Sequence, residues 1–92
     1  MIKSFVCQDT EALFHGVRVA RFVNIETVAM RKLAMLERAN ILDDLRIPPN
    51  NRLEQLKGNR KGQYSIRINN QWRVCFIWNG HDAERVEIVD YH

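Results

Sequence analysis

The sequence predicts an α+β fold of two layers, two N-terminal helices packed on a twisted antiparallel β-sheet. Two observations predict it. In residues 1–50 the apolar positions recur at three- to four-residue spacing, the period of a helix, whereas from Arg52 onward they alternate, the period of a strand. A chain of 92 residues then makes one domain, over 1–92, with a thin core that one helical layer completes against one sheet.

The first helix has Asp9 or Thr10 as its N-cap, Glu11-Ala12-Leu13-Phe14-His15 as its body and Gly16 past its end. The second starts at Asn24 and sets Ile25, Val28, Ala29, Leu33 and Leu36 in one apolar stripe. Arg31, Lys32, Glu37 and Arg38 then occupy its solvated face. Asp43-Asp44 and Pro48-Pro49-Asn50-Asn51 stop helical structure completely.

Three strand runs follow. Tyr64, Ile66 and Ile68 alternate with polar neighbours, as do Trp72, Val74, Phe76 and Trp78 with Arg73, Cys75 and Ile77, and Val86 and Ile88 with Arg85 and Glu87. Turns at Gly58–Gly62, Asn69-Asn70 and Asn79-Gly80 separate them into a meander. A one-residue slip would turn every apolar side chain outward, so the faces select the register. A three-residue turn at Asn69-Asn70-Gln71 pairs Ile68 with Trp72, Ile66 with Val74 and Tyr64 with Phe76. The same logic across Asn79-Gly80-His81 pairs Val74 with Val86, Trp72 with Ile88 and Arg73 with Glu87, and brings Tyr91 level with Asn69. Arg67, Arg73 and Glu87 thereby share the face away from the helices. Lys57 matches their parity if its strand pairs across Gly58–Gly62, but Leu53 and Leu56 have opposite parities, which leaves that strand's orientation open.

Composition bounds the function. With 46% hydrophobic and 27% charged residues and few Gly and Pro, the chain is a soluble globule. No apolar run approaches the ~18–20 residues that span a membrane, and Asp9 and Glu11 interrupt the start too early for a signal peptide, so the expected location is the cytoplasm. In that reducing compartment Cys7 and Cys75 read as buried thiols. The net charge of +3 is unevenly placed: residues 51–75 hold Arg52, Lys57, Arg60, Lys61, Arg67 and Arg73 against Glu54 alone. Such a block attracts polyanions, and nucleic acid is the commonest in the cytosol; a solvated basic face is the plainer alternative.

The chemistry follows from that face and from the end of the chain. Asp90, Tyr91 and His92 offer an acid, a phenol and an imidazole beside fixed cations. Phosphoryl transfer needs a base for the nucleophile, a proton donor for the leaving oxygen and cations for the charge on phosphorus. RNA carries its own nucleophile, the 2′-OH, so such a site can cut RNA without a metal if it holds that oxygen in line with the phosphate. Plainer readings stand beside this one: a cross-strand Arg73–Glu87 pair, an edge aromatic at Tyr91, a frayed end at His92, core packing for Trp72 and Trp78, and cap and turn positions for His15 and His81. The scattered His and Cys show no metal-ligand spacing, and no glycine-rich phosphate loop or nucleophile elbow occurs, so neither metal nor cofactor is expected.

The segment Leu56-Lys57-Gly58-Asn59-Arg60-Lys61-Gly62-Gln63-Tyr64-Ser65-Ile66-Arg67-Ile68-Asn69, with Trp72-Arg73-Val74, the terminal Asp90-Tyr91-His92 and the opening Met1-Ile2-Lys3-Ser4-Phe5, resembles the HigB toxins of the RelE superfamily. The resemblance implies a RelE-like fold and a ribosome-dependent endoribonuclease that cleaves mRNA in the A site of the small (30S) subunit. It implies a helix-turn-helix antitoxin, HigA-like, through whose complex alone operator DNA is bound. Carried over by position, Lys57 and Arg60 hold substrate phosphates, Arg73 stabilises charge on phosphorus, and Asp90, Tyr91 and His92 handle protons. Lys61 and Arg67 join Lys57 and Arg60 in docking on ribosomal RNA. Where some relatives place a catalytic histidine this chain has Glu54, which is read either as the base for the 2′-OH or as an ion-pairing bystander. That departure keeps a second function open, a weakly active or inactive RNA- or ribosome-binding module acting mainly in antitoxin-linked transcriptional regulation.

Overall fold

The computed structural model describes residues 1–90. Helix α1 spans Gln8–Phe14 and helix α2 spans Glu26–Arg38. Strands β1 (Glu54–Gln55), β2 (Tyr64–Arg67), β3 (Trp72–Trp78) and β4 (Ala83–Asp90) form an antiparallel sheet in sequential order. The expected two-layer α+β architecture is therefore present. Among the described residues, no helix is long and apolar enough to cross a membrane.

The core lies between the helices and the even-numbered face of the sheet. Ala29, Leu33 and Leu36 of α2, Leu13 of α1 and Phe22 from the connecting 3₁₀ turn meet Ile66, Val74, Phe76, Val86 and Ile88, all buried. Trp72 is half-buried and stands edge-on to Phe22, with centroids 5.7 Å apart.

Both helix starts differ from expectation. The N-cap of α1 is Cys7, not Asp9 or Thr10. Thr10 sits inside the helix, fully buried, and its Oγ1 accepts the Ile88 N–H at 3.0 Å, tying α1 to β4. The N-cap of α2 is Ile25, whose N–H bonds back to the Phe22 carbonyl at 3.0 Å, so the preceding turn sets the entry rather than the Asn24 side chain. Helical structure also does not stop completely after α2: 3₁₀ turns occupy Leu42–Arg46 and Pro49–Asn51. Leu45 and Asn51 from these turns are buried, and the Asn51 Nδ2 donates to the Leu45 carbonyl at 3.1 Å.

Lys32 departs from the solvated face assigned to it. Only 6% exposed, its ammonium donates to the Asn51 Oδ1, a neutral acceptor that satisfies it without a carboxylate. Burial lowers its pKa below the usual lysine value, and the nearby Arg31 and Arg67 charges lower it further.

The β2–β3 register is the expected one, with Ile66 opposite Val74 and Tyr64 opposite Phe76. The β3–β4 register is not. Val74 faces Ile88 and Arg73 faces Val89, while Glu87 faces Cys75, two residues away from the predicted pairing. Two local causes account for the slide. Asn79 Oδ1 captures the N–H groups of His81 and Asp82 at 2.9 and 2.8 Å, so Trp78 pairs with Ala83 across a longer loop. A bulge then opposes Phe76 with both Arg85 and Val86, and Arg85 takes the left-handed φ of 52°. Because the two insertions preserve parity, Val86 and Ile88 still face the core.

The opening segment adds protection that alternation did not reveal. Ile2 and Phe5 bridge in parallel to Ala83 and Val86, with Lys3 N–H on the Ala83 carbonyl at 2.8 Å and Val86 N–H on the Ser4 carbonyl at 3.0 Å. These bonds, with Thr10 beyond them, cover the outer edge of β4.

Candidate active site

The site face is the odd-numbered side of the sheet. Because β2 and β3 pair with Arg67 opposite Arg73, two arginines occupy facing positions on neighbouring strands. Like charges directly opposite destabilise a sheet. Among the described residues neither has a carboxylate partner: Arg67 Nη2 donates to Asn70 Oδ1, while Arg73 Nε donates to Ser65 Oγ at 2.7 Å and its Nη2 to the Arg52 carbonyl at 2.8 Å. All these acceptors are neutral, so they orient the two side chains without adding a counter-charge. An anion is the natural complement of such a pair.

Ser65 is the functional residue that the sequence reading missed. It is fully buried opposite Cys75, and with Arg73 opposite Arg67 it stands on the arginines' own face. The signal was present in the register, since a small hydroxyl two positions from Arg67 on one strand must lie on the same side.

Strand β1 settles the orientation left open. It runs antiparallel to β2 with Glu54 opposite Ser65 and Gln55 opposite Tyr64, which sends Leu53 toward the main core and buries Leu56 separately. This register places Glu54, rather than Lys57, on the arginine face by alternation. Glu54 is exposed, and among the described residues its carboxylate makes no hydrogen bond or ion pair. Lys57 lies past the strand, exposed, as the residue before a 3₁₀ turn at Gly58–Arg60. Gly58 and Gly62 take left-handed φ values of 64° and 93° that a side chain would oppose, and they fold the loop back onto β2. Lys57 and Lys61 border a shallow cleft of about 280 Å³ with Gln55, Leu56 and Gly58.

Arg60 leaves this loop toward the sheet and pairs with Glu87 at 3.2 Å. The expected Arg73–Glu87 pair is thereby replaced, a direct result of the slide in the β3–β4 register. Beneath these groups lies the fully buried Cys75 thiol. Burial pushes its pKa up; the Arg60 and Arg73 charges pull against this and Glu87 adds to it. Cys7, expected buried, is only half-buried, its Sγ 3.7 Å from Arg21 Nη2.

The structure thus brings Arg67, Arg73, Arg60 and Glu54 to one face, with Lys57 and Lys61 on the loop beside it. Asp90 is exposed at the end of β4, opposite Trp72 rather than on the arginine alternation, and its Oδ2 accepts from Gln71 Nε2 at 3.1 Å. Tyr91 and His92 lie outside the described residues.

Comparison with known proteins agrees with this fold. Residues 16–92 match the family described as RelE-like toxin of type II toxin-antitoxin system HigB. Toxin HigB-1 of Vibrio cholerae serotype O1 is 53% identical over 55 residues, 60% of this chain and 58% of that protein. A Haemophilus influenzae protein described as uncharacterized is 35% identical over 63 residues, 68% of this chain and 62% of that protein. The matched stretch thus spans less than two thirds of either relative's length. Among solved structures, the YoeB-YefM complex from Staphylococcus aureus contains a chain that superposes with a TM-score of 0.62 at 21% identity, over 100% of this chain and 95% of that one, a likeness of fold. With its family match running from the second helix through the arginine-bearing sheet, the chain belongs to the HigB-like family of RelE-like toxins of type II toxin–antitoxin systems.

Proposed function

We propose that this toxin is an endoribonuclease that cuts mRNA in the A site of translating ribosomes. The observation that carries the reading is the pair Arg67 and Arg73 at facing positions of neighbouring strands, each held by neutral acceptors and, among the described residues, without a carboxylate partner. A scissile phosphate supplies the anion that this arrangement lacks. The RNA 2′-oxygen attacks phosphorus, its proton passes to a base, and the bond from phosphorus to the 5′-oxygen breaks. That oxygen takes a proton, leaving a 2′,3′-cyclic phosphate and a 5′-OH end.

Arg73, its fork anchored at Nε and Nη2, stabilises the charge that develops on phosphorus. Glu54, exposed on the same face, takes the 2′-OH proton, and Asp90, Tyr91 and His92 handle the proton of the leaving group. Lys57, Arg60, Lys61 and Arg67 hold substrate phosphates and ribosomal RNA, so ribosome binding weakens steeply with salt. The partner is a HigA-like helix-turn-helix antitoxin, through which the toxin reaches operator DNA, and the setting is the cytoplasm, where ribosomes translate. In keeping with this, the solved YoeB chain of similar fold is recorded in complex with YefM.

The experiment separates turnover from binding. Single-turnover cleavage and ribosome co-sedimentation are measured for the native chain, for Arg73→Ala and for a series losing Lys57, Lys61 and Arg67 one at a time. An enzyme loses about 10²–10³ in rate at Arg73 with ribosome binding retained. If no variant or native chain cuts and affinity falls stepwise with each cation, the binding-module reading replaces this one.

A further inference from the structure

The cations of the site face differ in one respect. Among the described residues, Lys57, Lys61, Arg67 and Arg73 have no carboxylate partner, whereas Arg60 is paired with Glu87. A half-exposed pair of this kind contributes at most about 1 kcal/mol to stability, while its carboxylate repels any phosphate that approaches the face. Stability is therefore a poor account of Glu87, and its geometry suggests a better one.

Arg60 is the end of the Gly58–Arg60 turn, in the loop that carries Lys57 and Lys61. The loop is closed by Leu56 N–H on the Gln63 carbonyl at 2.8 Å and Gln63 N–H on the Arg60 carbonyl at 3.0 Å. From there the Arg60 side chain reaches across β2 and β3, and its Nη1 is shared between Gln63 Oε1 and Glu87 Oε1, each at 3.2 Å. Its Nε and Nη2 have no partner among the described residues. Glu87 stands opposite Cys75, one alternation step along β3 from Arg73. Arg60, Glu87 and Arg73 all act on the Cys75 thiol, which places the three charges around one point of the sheet.

We infer that Glu87 is a positioning residue that fixes the Arg60 guanidinium over the sheet and withholds it from loose engagement with RNA, so that Arg60 meets a phosphate only through its free Nε and Nη2 edge. The inference rests on the proposed action on RNA phosphates and deepens it: some affinity for RNA is given up for one orientation of one cation.

The test uses Glu87→Gln, which keeps the shape and an oxygen acceptor but not the charge, and reads two quantities. Binding to a short labelled single-stranded RNA is followed by anisotropy across a salt series, and cleavage is followed at single turnover on ribosomes. The variant is expected to bind RNA several-fold tighter, with a log–log salt slope steeper by about 0.7, the increment for one more single-strand phosphate. Cleavage at saturating toxin is expected to slow by about tenfold from loss of orientation. Glu87→Asp, which keeps the charge, should retain the native salt slope, and in an Arg60→Gln background Glu87→Gln should change neither the slope nor the rate further. Unchanged or weaker RNA binding in a variant with native thermal stability overturns the inference, as does a full-sized effect in the Arg60→Gln background. If the native chain cuts nothing on ribosomes, the proposed enzymatic function fails, and the salt slopes alone decide whether Glu87 withholds Arg60.

Discussion

Arg73 shows how a side chain can be held without losing its charge: Ser65 Oγ and the Arg52 carbonyl orient the guanidinium, and neither neutralises it. Its presence on the basic face was legible from strand alternation, but its acceptors were not, because they depend on a loop carbonyl that no periodicity reports. Lys32 was misread for a related reason, since a helical wheel shows direction but not the 3₁₀ turn that brings Asn51 over the ammonium. Its lowered pKa has a definite sign. The native state gives up the lysine proton before the unfolded chain does, so this group's contribution to stability rises with pH from the folded pKa toward 10.5. Urea midpoints of the native chain and Lys32→Met should therefore diverge in favour of the native chain as pH climbs from neutral into that window; a constant difference would contradict it. The two cysteines make a second expectation. Ellman's reagent should label Cys7 in the folded protein and reach the buried Cys75, with its raised pKa, only after denaturation. Equal labelling rates would refute the burial assignment.

At the scale of elements, strand identity and facing were legible because a half-buried sheet must alternate. The β3–β4 pairing was not, because a bulge and an Asx-type loop each add one residue and together leave the parity unchanged. That slide matters for the site, since it gives Glu87 to Arg60 instead of Arg73. The bulge holds Arg85 at a φ of 52°, where a residue with a Cβ is strained and glycine is not. Arg85→Gly should raise stability by up to about 1 kcal/mol, read from urea unfolding, and a clear loss would show that the Arg85 side chain contributes more than its backbone costs. The N-terminal segment escaped notice as a strand because it pairs only at Ile2 and Phe5, too briefly for a period to register.

For the whole molecule, one layer of helices supports one sheet, and the sheet turns its other face, with paired arginines and a loop of lysines, outward. The helical layer buries the apolar alternation, which leaves the opposite alternation free for charge. This division explains why fold and basic face could both be read from one pattern, while the position of Glu54 could not: it owes its place to a two-residue strand whose pairing the sequence left open. The central claim is that this face cuts mRNA on the ribosome, and primer extension on a defined mRNA in a purified translation system tests it most directly. With ribosomes, the native toxin should give cuts inside codons that are absent without ribosomes and absent with Arg73→Ala. Cuts of equal strength from Arg73→Ala, or no cuts from a native chain that still binds ribosomes, would contradict the account.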